Sequence, residues 1–378
     1  MFLRSLSLRQ FRNYGRLDVE FDPRLNVFIG PNGSGKSNLM EAIAVLATGQ
    51  SHRGAELRHL LQWEKEGFAV KGAFEGEDEV LLEVRQKSGR PRQTLLNNAV
   101  QKRLKDWVGR VPVVTFSPDD LSLVKGEPGG RRRLLNAVLC QVDGDYMETL
   151  QRYNKTLAER NAALRQVQDH ERPPASLEPW DASLLKLGAS LSLARRIFLE
   201  KFQEYARRRH AALSSGRETV RLSYRPSFLL PSGEAEEVVA ANRRRLQDLR
   251  EGEIALGSTL IGPHRDEVEF FLGENLARAY ASQGQMRTLA LAVKLAEQDF
   301  LTARLKKQPL CLFDDMLSEL DPDRRENLVE ALTSGTQCMV TMAAAAEWPR
   351  LMESLDGRNS CLFEVRDGKL TASAKRSF

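Results

Sequence analysis

The sequence has no apolar run approaching the roughly 18 residues that a bilayer-spanning helix needs. Its first residues, Met1-Phe2-Leu3-Arg4-Ser5-Leu6, alternate instead of building an apolar stretch ahead of a small-residue cleavage site. Secretion and membrane insertion are therefore not expected, and a soluble, cytoplasmic protein is. Cysteine is scarce: Cys140, Cys311, Cys338 and Cys361 form no CxxC pair, so neither a disulfide frame nor a zinc site is expected. The five histidines, at 52, 59, 170, 210 and 264, show no ligand spacing. Charge of one sign is not dominant either. A formal net charge of +5 leans toward a polyanionic partner without deciding for one.

The chain is not short of apolar residues, which make up 42% of its 378 residues against 28% charged. That excludes general disorder, and the length points to two or three lobes. Alternation in Leu3-Ser5-Leu6-Leu8 and in Leu17-Val19-Phe21 predicts two strands, and Leu25 to Ile29 a strand buried on both faces. Leu39, Ile43 and Leu46 recur at helical spacing, with Gly49 placed to end that helix. Residues 68 to 100 read as a β-meander. From about 129 to 215 the pattern becomes long helices, followed by strands at 219–228 and 267–272 around a polar helix at 235–251. A long helix at 284–305 and apolar runs at 310–313, 338–341 and 362–365 return to β/α, with Asp367-Gly368 suited to a tight turn. The expected fold class is α/β: a mixed β/α lobe I from 1–116 and 276–378, interrupted by a largely helical lobe II at 117–275.

Between the buried strand and the first helix stands Gly30-Pro31-Asn32-Gly33-Ser34-Gly35-Lys36-Ser37. In this Gly-x-x-x-x-Gly-Lys-Ser pattern the glycines let backbone N–H groups curl around phosphate oxygens. The lysine reaches the β and γ phosphates, and the serine hydroxyl serves Mg²⁺. The helix aims its positive dipole end at the same anion. Average residue usage supplies about one such match per 100 chains of this length, so the loop is read as an ATP site. Such a site needs carboxylates at the end of a neighbouring strand. Leu310-Cys311-Leu312-Phe313-Asp314-Asp315 provides them, with Asp314 expected on the metal and Asp315 expected to orient or activate water.

Two further segments carry a family resemblance. Ser282-Gln283-Gly284-Gln285, opening the long helix, resembles the signature motif of ABC-type ATPases, and Ser318-Glu319-Leu320-Asp321 follows the aspartates as the D-loop does there. Their order relative to the phosphate loop and the acidic strand is similar to the head of the SMC and ABC superfamily, without a long coiled coil. Finer landmarks resemble the RecF group: Leu8-Arg9-Gln10-Phe11-Arg12-Asn13-Tyr14, Phe116-Ser117-Pro118-Asp119-Asp120-Leu121, Gly262-Pro263-His264-Arg265-Asp266, and Ser282 through Glu297. The resemblance implies that two heads sandwich two ATP molecules, with Ser282, Gly284 and Gln285 of one chain meeting the nucleotide of the other. It places Arg12 and Asn13 near the nucleotide and makes Thr341 the switch residue. No Q-loop glutamine can be placed.

The function implied is that of an ATP-switched DNA-binding protein of recombinational repair and replication restart. Such a protein is a weak, DNA-stimulated ATPase that binds at single-strand gaps, works with RecR-like and RecO-like mediators, helps RecA loading and SOS induction, and leaves DNA after slow hydrolysis. The arginine runs Arg131-Arg132-Arg133, Arg207-Arg208-Arg209 and Arg243-Arg244-Arg245 are candidate phosphate contacts; the plainer reading of each is a solvated helix face. A structural role is favoured for Gly262 to Asp266. Two competing functions share the nucleotide motifs. One is the energising subunit of a membrane transporter; the other is a nonhydrolysing interaction protein, which the aspartate pair disfavours.

Overall fold

The N-terminal alternation folds as β1 (Phe2–Phe11) and β2 (Tyr14–Glu20), an antiparallel pair. β3 (Leu25–Ile29) and α1 (Lys36–Thr48) follow, then β4 (Gly67–Glu75), β5 (Val80–Lys87), β6 (Gln93–Leu96), β7 (Ala99–Gln101) and β8 (Val113–Phe116). The chain next forms α2 (Leu121–Lys125), α3 (Pro128–Val142), α4 (Gly144–Gln168), α5 (Glu178–Ser214), β9 (Val220–Arg225), α6 (Ala235–Asp248) and α7 (Arg250–Leu256). It closes with β10 (Glu267–Leu272), β11 (Asn275–Leu276), α8 (Ala277–Tyr280), α9 (Gln283–Leu305), β12 (Leu310–Phe313), β13 (Cys338–Met342), β14 (Ser360–Arg366) and β15 (Lys369–Arg376). This computed structural model describes residues 1–214, 216–231, 233–315, 335–343 and 360–376.

Two units emerge, Met1–Asp120 with Leu291–Phe378, and Leu121–Ala290. In the first, six strands make an antiparallel sheet in the order β2-β1-β4-β5-β6-β7. Six others make a second sheet in the order β15-β14-β3-β13-β12-β8, parallel except for the β14–β15 hairpin. α1 packs against β4 and β5 of one sheet and β8 and β13 of the other. Every residue from Leu39 to Ala47 is accordingly buried, as expected of a helix with no solvent face. The second unit carries the long helices and a small sheet in the order β11-β10-β9.

The units part at 120/121 and 290/291 and not at 117 and 276, the boundaries expected from the sequence. Residues 118–120 stay with β8 because they form a tight turn in which the Asp120 carboxylate accepts the Ser117 N–H at 2.8 Å. Residues 276–290 belong to the helical unit because α8 packs on β10 and Gln285 donates to Glu218. The signature segment is thus part of the second unit, and not of the β/α lobe to which the sequence pattern had assigned it.

The Gly262–Asp266 motif is framework. Asp266 is fully buried and accepts from Arg195 at 2.8 Å, from the Ser227 N–H at 2.8 Å and from the Tyr224 hydroxyl. His264 Nε2 lies 3.2 Å from the Thr259 carbonyl, which only accepts, so Nε2 carries the proton and Nδ1 accepts from Tyr153 at 2.7 Å. Burial pushes this imidazole down to about 4, so it stays neutral at physiological pH. All four cysteines are free thiols, three of them buried, as expected.

Candidate nucleotide site

β3, β13 and β12 are neighbours in the parallel sheet, and their C-terminal ends lie level: Thr341 pairs with Phe28, and Phe313 with Val340. The phosphate loop leaves β3, the aspartates leave β12, and Thr341 stands on the strand between them. The loop is held from three sides. The Tyr14 hydroxyl donates to the Gly35 carbonyl at 3.0 Å, Asn13 donates to the Ser34 carbonyl at 3.0 Å, and the Gly368 N–H reaches the same carbonyl at 3.0 Å. Gly35 has φ +116, and a Cβ there would sit 2.5 Å from the Asn13 amide; Gly368 has φ +69, and a Cβ there would sit 2.3 Å from the Asn13 carbonyl. Only glycine fits either place.

Lys36 folds over its own loop, donating to the Gly30 carbonyl at 2.7 Å and the Pro31 carbonyl at 3.1 Å. Burial lowers its pKa, and the nearby Asp315 and Asp314 carboxylates oppose that shift. The Ser37 hydroxyl donates to Asp314 Oδ1 at 2.8 Å. Thr341, fully buried, places its hydroxyl 2.9 Å from the same oxygen and accepts the Asp315 N–H at 2.8 Å. Its hydroxyl therefore bridges the Asp314 carboxylate and the Asp315 backbone N–H. Asp315 sits in the left-handed region at φ +54, so the backbone turns sharply straight after Asp314. Gly30 to Ser37, Asp314, Asp315 and Thr341 thus converge on one sheet edge, the place where open α/β sheets bind ligands.

Asn13 lies against the loop, also accepting from Asn38 at 2.9 Å. Arg12 differs. Its guanidinium grips the fully buried Glu41 at 2.9 and 3.0 Å and donates to the His59 carbonyl at 2.9 Å, so it ties the 51–62 segment to the end of β1. The same segment contributes a group that pattern reading missed. Ser51 donates to Glu41, folding the chain back along α1, and His52 becomes half-buried near Asp314, its Nδ1 buried with no hydrogen-bond partner among the described residues. Burial lowers the His52 pKa, and Asp314 and Glu41 work against that shift. No motif spacing announces His52; the signal available was a histidine a few residues past the end of the phosphate-loop helix. The expected D-loop, Ser318 to Asp321, lies outside the described residues.

In the second unit, Ser282 and Gln285 form a reciprocal cap at the start of α9. The Ser282 N–H donates to the Gln285 side-chain oxygen at 2.6 Å, and the Gln285 N–H donates to the Ser282 hydroxyl at 3.2 Å. Gly284 lies between them in the first turn.

The arginine runs separate by burial. Arg131, expected to face DNA, is only 3% exposed: it pairs with both oxygens of Glu267 at 2.7 and 2.8 Å and donates to the Leu123 and Gly126 carbonyls. Although burial works against it, hydrogen bonding from Arg131 holds the Glu267 carboxyl below its usual range. Arg132 is half-buried on the Asp266 carbonyl. Arg207 bonds the Val220 carbonyl and Glu204, Arg208 lies over the Tyr205 ring, and Arg209 is half-buried. Arg133, Arg207, Arg208, Arg243 and Arg244 remain exposed. Replacing Arg131 by Met should therefore cost about 3 kcal/mol of stability, as for a broken buried ion pair, and leave the salt dependence of DNA binding unchanged. Removing two exposed arginines that do contact phosphates should lower the log–log salt slope by about 2. Denaturant titration and binding at graded salt measure both.

Residues 2–357 match the family described as RecF/RecN/SMC N terminal domain. A DNA replication and repair protein RecF from Heliobacterium modesticaldum is 42% identical over 337 residues, covering 88% of this chain and 90% of that protein. The chain belongs to the RecF family. A RecF from Listeria monocytogenes is 38% identical over 350 residues, covering 92% of this chain and 94% of its own. A solved structure of the recombination mediator protein RecF-ATP in the RecFOR pathway superimposes with a TM-score of 0.87 at 30% identity, covering 99% of this chain and 98% of that one. An Smc head domain from Pyrococcus furiosus shares the fold, with a TM-score of 0.53 at 18% identity. The α/β head expected from the sequence is therefore the fold observed, and RecF membership sets aside the transporter reading. No helix among the described residues is long and apolar enough to cross a membrane.

Proposed function

We propose that this RecF-family chain is a cytoplasmic, ATP-switched DNA-binding protein, dimerising on ATP, engaging DNA at single-strand gaps and hydrolysing ATP slowly to let go. The observation that carries the reading is the convergence of Lys36, Ser37, Asp314 and Thr341 at one sheet edge, with Ser37 and Asp314 2.8 Å apart. Lys36 is to exchange its loop carbonyls for the β and γ phosphates, gaining stronger, charge-assisted bonds. Ser37 and Asp314 are hard oxygen donors of the kind that Mg²⁺ takes beside phosphate oxygens, and their contact supports that pairing. When bound, Mg²⁺ neutralises phosphate charge. Asp315 is the proposed base for the attacking water, and Thr341 holds both aspartates in place. The signature residues Ser282, Gly284 and Gln285 serve the nucleotide of a second chain.

The solved RecF relatives are recombination mediators of the RecFOR pathway, which supports partners similar to RecR and RecO, with help to RecA loading and SOS induction as the proposed downstream role. Exposed arginines in α3, α5 and α6 supply the proposed DNA contacts. Lys36→Ala tests the core of the reading. It should weaken ATP binding about tenfold or more, the loss of a charge-assisted contact to two phosphates, and remove nucleotide-dependent retention on a gapped duplex. Unchanged ATP affinity in a titration would place the nucleotide elsewhere.

A further inference from the structure

The Gln285 side chain has a second bond that the signature pattern does not account for. Its amide Nε2 donates to Glu218 Oε1, a carboxylate 67 residues earlier, in the turn between α5 and β9. The other face of Gln285 accepts the Ser282 N–H, so the amide is read from both sides: oxygen toward Ser282, nitrogen toward Glu218. Both Glu218 and Gln285 line a half-open cleft of about 370 Å³ with Arg217, Asn275 and Tyr280. Packing therefore leaves room for the amide to rotate. Rotated by half a turn, it would set two donors against each other at Ser282 and two acceptors against each other at Glu218. Glu218 is the group that makes the rotated state unfavourable, and its charge makes the bond one of the stronger class.

The consequence reaches the Ser282 hydroxyl. That oxygen accepts the Gln285 N–H at 3.2 Å, and its proton has no acceptor among the described residues, which leaves the O–H to donate outward. We propose that Glu218 is a positioning residue for the signature turn: by holding the Gln285 amide it fixes the cap, and the cap aims the Ser282 hydroxyl at the phosphate of a second chain. The other oxygen of Glu218 lies 3.9 Å from Nε2 of the buried His210. Glu218 is a residue of the second unit, and the phosphate loop belongs to the first. The inference rests on the two-chain reading of the nucleotide site.

The test compares Glu218→Ala and Glu218→Gln with the unsubstituted full chain and with Ser282→Arg, by sedimentation with and without ATP and by ATP titration of the monomer. Glu218→Ala should weaken ATP-induced self-association about tenfold, the equivalent of one lost charge-assisted hydrogen bond. Its monomer affinity for ATP and its thermal midpoint should stay as they were. Glu218→Gln keeps an acceptor oxygen in reach of Gln285 and should restore most of the association. Glu218→Ala that associates normally while Ser282→Arg does not would overturn the positioning role and leave the sandwich intact. An unsubstituted chain that never associates with ATP would instead remove the reading on which this inference rests. Loss of both association and thermal stability in Glu218→Ala, with no rescue by Gln, would make Glu218 a mere structural brace.

Discussion

Ser282→Arg is expected to abolish ATP-induced dimerisation and hydrolysis while leaving ATP binding to the monomer nearly intact. The substitution leaves the sequence of the phosphate loop as it is, Ser282 being a residue of the second unit and Lys36 of the first. The substituted side chain does two things at once. It removes the hydroxyl that accepts the Gln285 N–H, dissolving the cap at the start of α9, and it fills the space where the partner's phosphate is to dock. Mixing with Lys36→Ala sharpens the result. A heterodimer joins the intact loop of one chain to the intact signature of the other, so one whole site is rebuilt and some activity should return. A Ser282→Arg protein that still dimerises with ATP and hydrolyses it at the normal rate would rule the sandwich out.

The second large effect is expected at Asp315. Asp315→Asn should still bind ATP and should hydrolyse it about a hundredfold more slowly or worse, the usual size of a lost general base. The local geometry makes this a clean substitution. Asp315 holds φ +54, which asparagine tolerates at least as well, and its backbone N–H, not its side chain, makes the bond to Thr341. Asp314 keeps its bonds from Ser37 and Thr341, so the proposed metal side of the site is undisturbed. Phosphate release measured at saturating ATP reads the chemistry, and a parallel titration reads binding. Normal turnover would move the base to Asp314 or to a group from another chain.

These two experiments divide along the line between what pattern shows and what folding adds. Asp315 was legible because the phosphate loop and the acidic strand are contiguous motifs whose chemistry depends on neighbours in sequence. Gly35, Lys36 and Ser37 need only each other's spacing to form an anion cradle. The arginines were not legible in that way. Arg131, Arg132 and Arg133 are identical in type and adjacent in sequence, yet Glu267, 136 residues away, takes the first of them into the interior. Helical rotation puts neighbours on different faces, and only the packed partner says which face is wet. The partners of Arg12 were hidden for the same reason: Glu41 on α1 binds its guanidinium and makes it a brace for the 51–62 segment.

The sequence by itself determined the phosphate-loop and acidic-strand motifs, the α/β class, the approximate division of the chain and the family, since each rests on short-range spacing or hydrophobic period. Tertiary structure alone decided the rest. It closed the Asp367–Gly368 turn onto the phosphate loop through the Ser34 carbonyl, made the Thr341 hydroxyl the bridge between the two aspartates, and put the signature with the helical unit through Glu218. Each of these is a hydrogen bond between segments far apart along the chain. Such a bond leaves no mark in local periodicity, because its partners are chosen by packing and not by spacing.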